Sequence, residues 1–288
     1  MSDIIQFLYS IIIGIVQGVS EWLPISSKTQ IIVSTHYLLN LTIQQGYIFG
    51  LFMEIGTLAA SIIYFRKDLL NLVQVLRGSK DPMQKKLFSY VLVVTLVTAV
   101  IAAPLYFVTI TVIGDSNTGS AVGIPMLILG LILIGDAVLI WYSKARQKQA
   151  IVLRKLESFT AKDYVLVGIS QGISALPGIS RSGITTSAML LLGIEPDEAF
   201  RLSFVAGIFA AAGAFGLTLI ASRSNVAASI AGIGLTGLLV AIIVSTIVSL
   251  FLIDFLIKVA GKQKITYLTA ALGIIAIASG LLYLVLGL

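Results

Sequence analysis

Gln17 and Glu21 stand four residues apart, a spacing that puts an amide and a carboxylate on one face of a helix. Pro24, Ser26, Ser27, Lys28, Thr29 and Gln30 follow within ten residues. A second polar stretch, Pro177-Gly178-Ile179-Ser180-Arg181-Ser182-Gly183, carries a guanidinium flanked by hydroxyls and glycines, and Thr185 and Thr186 follow where a helix is expected to start. A cation beside hydroxyls, glycine amides and a helix N-terminus suits a phosphate group. Glu21 is the natural resting partner for Arg181. Together the two stretches supply a carboxylate, a cation and several hydroxyls for one cavity. The simpler alternative is a structural Glu21–Arg181 ion pair, with serines and glycines that only let helices pack closely.

The elements that must position these residues are apolar. Of 288 residues, 58% are hydrophobic and 11% are charged, and the mean hydropathy is +1.04. A soluble domain averages about 45–50% apolar and about 25% charged. A soluble enzyme is therefore excluded, and the expected fold class is an all-α integral membrane protein. The absence of cysteine rules out disulfides, iron–sulfur clusters and thiolate zinc sites. A single histidine, His36, rules out a multi-histidine metal site.

The net charge of +6 is read as topology, with a nucleic-acid or anionic-lipid role for the basic loops as the weaker alternative. Apart from Lys28, Arg181, Arg201 and Arg223, every Lys and Arg falls in one of three polar loops. These are Arg66–Lys86, Lys144–Lys162 and Lys258–Lys264. Enrichment in Lys and Arg marks cytoplasmic loops, so these three are read as inside. The loops around Asp115–Gly119 and Ser222–Ser229 are read as outside. Spans are expected near 47–65, 89–108, 121–142, 199–221, 230–255 and 266–286, with Trp141 and Tyr142 at an interface. Six crossings with these signs put both termini outside the cell membrane.

Two segments are too short to cross. Residues 4–16 and 31–39 flank the first polar stretch, and 164–169 and 187–193 flank the second. Apolar pieces broken by Pro, Gly and polar residues suggest re-entrant helix pairs, tolerated where protein buries them or water fills a cavity. The two polar stretches also align: Gln17-Gly18, Ser20, Leu23-Pro24 and Ile25-Ser26 match Gln171-Gly172, Ser174, Leu176-Pro177 and Ile179-Ser180. Each half then holds one re-entrant pair and three spans, and an odd number of crossings inverts the second copy. Repeat 1 is expected at about 1–145, with its re-entrant segment at about 4–39. Repeat 2 is expected at about 146–288, with its re-entrant segment at about 164–193.

At these residues the chain resembles the undecaprenyl-diphosphate phosphatase, or bacitracin-resistance, family. The (E/Q)xxxE motif is matched by Gln17 and Glu21, the Ser-Ser element by Ser26-Ser27, and PGxSRSxxT in full by Pro177 to Thr185. The resemblance implies six spans, two re-entrant pairs in an inverted repeat, and removal of the terminal phosphate from a C55 polyprenyl diphosphate, which recycles a lipid carrier for envelope synthesis. One departure stands out. Bacterial members read Ser-Ser-Thr-Gly-His, whereas this chain reads Ser26-Ser27-Lys28-Thr29-Gln30, so Gln30 stands where the family has its histidine. His36, about 9 Å further along a helix, is a poor substitute and is read as a packing or interfacial residue. The variant fits an archaeal-type branch acting on other polyprenyl carriers.

The expected chemistry assigns Arg181 to clamp the diphosphate, Ser27 to attack or to position water, and Glu21 to accept the proton or hold a cation. Gln17 orients Glu21, Lys28 adds a phosphate contact, and Ser26, Gln30, Gly178, Ser180, Ser182 and Thr185 complete the binding set. Glu54 is a second candidate ligand, with Glu21, for magnesium or calcium. Flipping of a lipid phosphate through the same site is the rival function. Asp136 and Asp254 are read as structural, and Arg201 as the ion-pair partner of Asp197 or Glu198. Membrane lipids surround the protein, and small residues in the spans permit a homodimer.

Overall fold

The structure, a computed structural model, describes residues 3–23, 25–115, 153–176, 178–260 and 265–286, plus helical positions 127–128, 130–131, 134–135 and 138. In chain order the helices are α1 (Asp3–Ser20), α2 (Ser27–Leu39), α3 (Ile43–Tyr64), α4 (Arg66–Leu76), α5 (Pro82–Asp115), α6 (Ala161–Ile173), α7 (Arg181–Leu191), α8 (Pro196–Ala221), α9 (Arg223–Ala260) and α10 (Ile265–Leu286). Apart from one isolated bridge between Arg154 and Ile194, no strand pairing occurs among the described residues.

Local chemistry sets the boundaries. Thr42 and Gln45 form a capping box that starts α3, and Thr160 and Asp163 form another that starts α6. Asn40 ends α2 in the left-handed conformation. Pro196 opens α8, where its missing N–H costs nothing. Gly234, at φ 73° and ψ 158°, breaks α9, and the Gln6 side-chain amide donates to the Ile233 carbonyl beside that break.

Among the described residues, four helices are long and apolar enough to cross a membrane: α3, α5, α8 and α9 beyond its break. Side chains such as Val100, Ile220 and Phe251 are more than 70% exposed within them, which is tolerable only where lipid covers the surface. The chain is a multi-pass membrane protein. By contrast α2 and α6 have 13 residues each and α7 has 11. At 1.5 Å per residue they fall short of a hydrocarbon core of about 30 Å.

Packing is reciprocal. Helix α1 lies on α9, α6 lies on α5, and α3 and α8 meet between them. Glycines allow both close approaches. A Cβ on Gly14 or Gly18 would meet α9 at Ala241, Val244, Ser245 or Val248 within 3 Å, and one on Gly168 or Gly172 would meet α5 at Val97 or Ile101 within 3 Å. The offset between these pairs is the one that separates Gln17 from Gln171. Gly130 and Gly273 make a similar backbone contact.

The structure corrects several expectations. The loop at 66–86 contains α4, whose Asp68 and Leu72 turn inward while its other faces stay open. The stretch Ser222–Ser229 is largely helical, because α9 starts at Arg223. Helix α1 continues past Gln17-Gly18 to Ser20, and α7 starts at Arg181 itself, four residues before Thr185. Most of the expected span at 121–142, the Ser116–Gly119 part of its loop, and Pro24, Asp136, Trp141, Tyr142 and Pro177 lie outside the described residues.

Candidate active site

Glu21 follows the last turn of α1, and its carboxylate is almost fully enclosed. Oε2 accepts hydrogen bonds from Gln17 Nε2 at 3.0 Å and Ser27 Oγ at 2.7 Å, while Oε1 receives the Arg181 guanidinium. Arg181 leads α7, where Ser180 caps the helix by accepting from Gly183 N–H. Its other terminal nitrogen donates to Glu54 Oε2 at 3.2 Å. Glu54 sits midway along α3 and is 1% exposed. Its second oxygen lies 3.5 Å from Lys28 Nζ but lacks a hydrogen-bond donor.

Two carboxylates and two cations therefore form one buried cluster of zero formal charge. Each ion would cost several kcal/mol to bury alone, and no charge here is alone. Through Glu54 the cluster stands level with the middle of α3. Along α3, Tyr47 to Met53 belong to one apolar core and Ala60 and Phe65 to another, with Glu54 at the boundary.

Backbone geometry ties the two polar stretches together. Ser26 has φ 54°, a conformation L residues adopt at a cost, and its Oγ accepts from Thr29 at 3.1 Å. Gly178, at φ 84°, donates its N–H to Thr29 Oγ1 at 3.1 Å. Ser180 Oγ donates to the Leu23 carbonyl at 3.0 Å, and Ser182 Oγ donates to the Glu21 carbonyl at 3.1 Å. These contacts hold Arg181 against Glu21 across 160 residues of chain.

A cavity of about 270 Å³ opens beside the cluster. Lys28, Glu54 and Arg181 line it, while Leu51, Ala99, Ala103 and Phe209 make much of its wall apolar. Glu21 and Ser27 are not in that wall; they lie behind the guanidinium. Such a space suits an anionic head group joined to an apolar body.

The expected residues divide accordingly. Gln17, Glu21, Ser27, Lys28, Glu54 and Arg181 converge, and Ser26, Gly178, Ser180 and Ser182 build the frame around them. Thr185 is bound to Ser203 and to the Arg181 carbonyl, outside the cavity wall. Gln30 does not join the cluster: its amide donates to the Ile25 carbonyl at 3.1 Å. His36 is exposed at the end of α2, with Nδ1 at 2.9 Å from the Leu41 carbonyl. Arg201 pairs with Glu198, as the i,i+3 spacing suggested, and also with Asp68 of α4. Asp254 pairs with Lys258 and accepts from Tyr64.

The sequence reading missed three wall residues. Tyr47 donates to the Ala175 carbonyl at 2.7 Å, and Gln171 donates to Thr98 at 3.1 Å and leaves its own Oε1 unpartnered. Gln171 had a signal, because it is the counterpart of Gln17 in the aligned stretches.

Comparison with known proteins gives a consistent picture. The profile of the bacitracin resistance protein BacA family matches residues 10–278. A protein of Saccharolobus solfataricus named undecaprenyl-diphosphatase is 43% identical over 276 residues, 96% of each chain. A protein of that name from Saccharolobus islandicus is 45% identical over 262 residues, 91% of each chain. Another, from Pyrobaculum aerophilum, is 38% identical over 274 residues, 95% of this chain and 97% of its own.

Proposed function

The chain is a member of the bacitracin resistance protein BacA family, and from that membership and the buried four-charge cluster we propose that it hydrolyses a polyprenyl diphosphate of the undecaprenyl type, giving the monophosphate and inorganic phosphate. The observation that carries this reading is the placement of Arg181. Its guanidinium bridges Glu21 and Glu54 at the charged end of an apolar cavity, with Ser27 hydrogen-bonded behind it.

A diphosphate entering the cavity competes with the two carboxylates for Arg181 and Lys28. Its oxygens are richer in charge, so both cations turn to the phosphate and stabilise negative charge as the terminal phosphoryl group transfers. Ser27 Oγ attacks the terminal phosphorus while Glu21 Oε2, 2.7 Å away, takes its proton. The bond from that phosphorus to the bridging oxygen breaks, and the polyprenyl monophosphate leaves toward the cavity. Water then cleaves the phosphoserine, and Ser27 recovers its proton from Glu21. Gln17 keeps the carboxylate turned toward Ser27.

Magnesium or calcium fits the same place. Glu54 Oε1 is buried without a donor and is an oxygen that a hard cation would accept, with Glu21 the other carboxylate. Among the described residues no third acid or histidine joins them, so the diphosphate oxygens would complete the shell. When bound, the ion would neutralise charge on the diphosphate.

The architecture in this reading is six crossings and two re-entrant helix pairs, α1–α2 and α6–α7, in an inverted repeat. The reciprocal seating of α1 on α9 and α6 on α5, through glycines at matched offsets, supports it. The basic loops face the cytoplasm and both termini face outside. A homodimer is compatible with this site, whose clustered residues all come from one chain. The relatives' names favour hydrolysis over lipid flipping. The test is phosphate release from C55 polyprenyl diphosphate by the purified protein in detergent, with and without magnesium or calcium. Steady turnover is expected; bound lipid without phosphate release would overturn the proposal.

A further inference from the structure

The basic residues between α3 and α5 read from sequence first as an orientation signal and only second as contacts for nucleic acid or anionic lipid; the structure gives them a surface. One residue separates helix α4 from the end of α3, and five separate its own end at Leu76 from the start of the long helix α5. Connectivity therefore fixes α4 at the level of lipid head groups on one side of the membrane. It is also rigidly mounted. Asp68 pairs with Arg201 of α8, Leu72 enters the apolar core, and Gln84 of α5 donates to Asn71 and to Gln74.

The rest of the helix looks outward. Leu70 is 58% exposed, Val73 40% and Leu76 73%. Around them lie Lys67, Arg77, Lys80 and Lys85, all exposed, and Lys86, half-buried. None of these five forms an ion pair among the described residues. The acids of the segment are already in use, because Asp68 holds Arg201 and Asp81 accepts from the amides of Met83 and Gln84 at the start of α5. Exposed apolar side chains among unneutralised cations, at head-group depth, match an acyl boundary with phosphate above it.

We propose that α4, the turn at Gly78 and the first turn of α5 form a binding platform for anionic phospholipid head groups. The cations take the phosphates, and Leu70, Val73 and Leu76 enter the acyl boundary. Each Lys or Arg near such a surface contributes enough that removing three should weaken binding by roughly a hundredfold.

The experiment uses the full-length protein in a neutral detergent and reads the unfolding midpoint with phosphatidylglycerol or phosphatidylcholine added at equal mole fraction. The variants are Arg77→Gln/Lys80→Gln/Lys85→Gln and, as a matched loss of three charges elsewhere, Lys148→Gln/Lys155→Gln/Lys162→Gln. Phosphatidylglycerol should raise the midpoint of wild type and of the second variant by several degrees more than phosphatidylcholine does. The first variant should lose that difference, and 0.5 M salt should reduce it in wild type. The proposal falls if both lipids act alike on wild type, if the first variant keeps the full difference, or if both variants lose it equally. Folding of the variants is read from their midpoints without lipid, and none of the substituted residues belongs to the active-site cluster.

Discussion

Replacing Arg181 with Gln tests whether the guanidinium is a clamp for substrate or only a tie between helices. The wild-type cluster is neutral; Arg181→Gln leaves Glu21 and Glu54 facing Lys28 alone. At 3.2 Å and an effective dielectric of about 20, the Arg181–Glu54 attraction is roughly 5 kcal/mol before desolvation. Removing one partner of a buried pair commonly costs about 3–5 kcal/mol, because the other charge stays buried. Stability should fall by about 3 kcal/mol, and turnover by roughly a thousandfold to a hundred-thousandfold, the scale of an arginine that stabilises phosphoryl transfer. The double variant Arg181→Gln/Glu54→Gln restores neutrality, leaving Lys28 opposite Glu21. It should recover stability to within about 1 kcal/mol of wild type, since replacing a whole buried pair is often nearly neutral, and should recover no turnover. With Glu54→Gln completing the cycle, denaturant unfolding gives one readout and phosphate release the other. If the double variant is no more stable than Arg181→Gln, the two residues are not coupled as the geometry says. If it regains turnover, Arg181 does not clamp the substrate.

Four further outcomes follow from the same contacts. Ser27→Ala should cut turnover by at least a thousandfold and abolish any phosphoenzyme trapped by acid quench, whereas near-normal turnover would hand the attack to water. Gln30→Ala should change turnover less than tenfold in the same assay, because its amide serves the Ile25 carbonyl and not the cluster. Gly56→Ala brings a Cβ to 2.8 Å from Ser245 Oγ and 2.9 Å from the Ile242 carbonyl; overpacking should cost about 1–3 kcal/mol in denaturant unfolding. Asp163, at the polar end of α6, is held at a pKa of about 2, first by hydrogen bonds from Arg154 and also by those from Thr160. A lowered carboxylate stabilises the fold above its unfolded value near 4, and that support fades as pH falls through 2. Stability of wild type should therefore drop between about pH 4 and 2 by more than that of Asp163→Asn, measured as midpoints across that range.

How far the sequence revealed this site depends on the kind of signal. Gln17, Glu21 and Arg181 were legible because polar residues at membrane depth are costly and conspicuous. The short helices around them were legible because an apolar run of about a dozen residues cannot cross a bilayer. Lys28 with Glu54 was less so: each residue invites several partners, and only the seating of α2 against α3 selects one. Helix α4 was hidden because its inward face is Asp68, Leu72 and part of Leu69, too narrow a stripe to outweigh the surrounding charges. Asp68 finds Arg201 across 133 residues, a pairing no local pattern contains. Gly18 and Gly172 were aligned from sequence, but Gly14 and Gly168, one turn earlier, were readable and overlooked. Gly14 and Gly18 repeat at Gly168 and Gly172, and four-residue spacing of small residues is what close helix contact in a membrane requires.

The Gln30 departure takes its meaning from the charge balance. A histidine near this site would add a titratable base to a cluster; in its absence, the described cluster depends on carboxylates for proton transfer. Glu21 is equipped for that, with Ser27 at 2.7 Å and Gln17 fixing its orientation. At rest, however, Arg181 lies against its other oxygen. In the proposed mechanism substrate removes that restraint, because a diphosphate draws the guanidinium away as it binds. On that proposal Glu21 is free to take the Ser27 proton only when there is a phosphoryl group to attack, and the neutral resting cluster re-forms when the site empties. By the same logic, removing either acid singly should cost stability, because the arginine that two carboxylates share would leave a buried charge unbalanced.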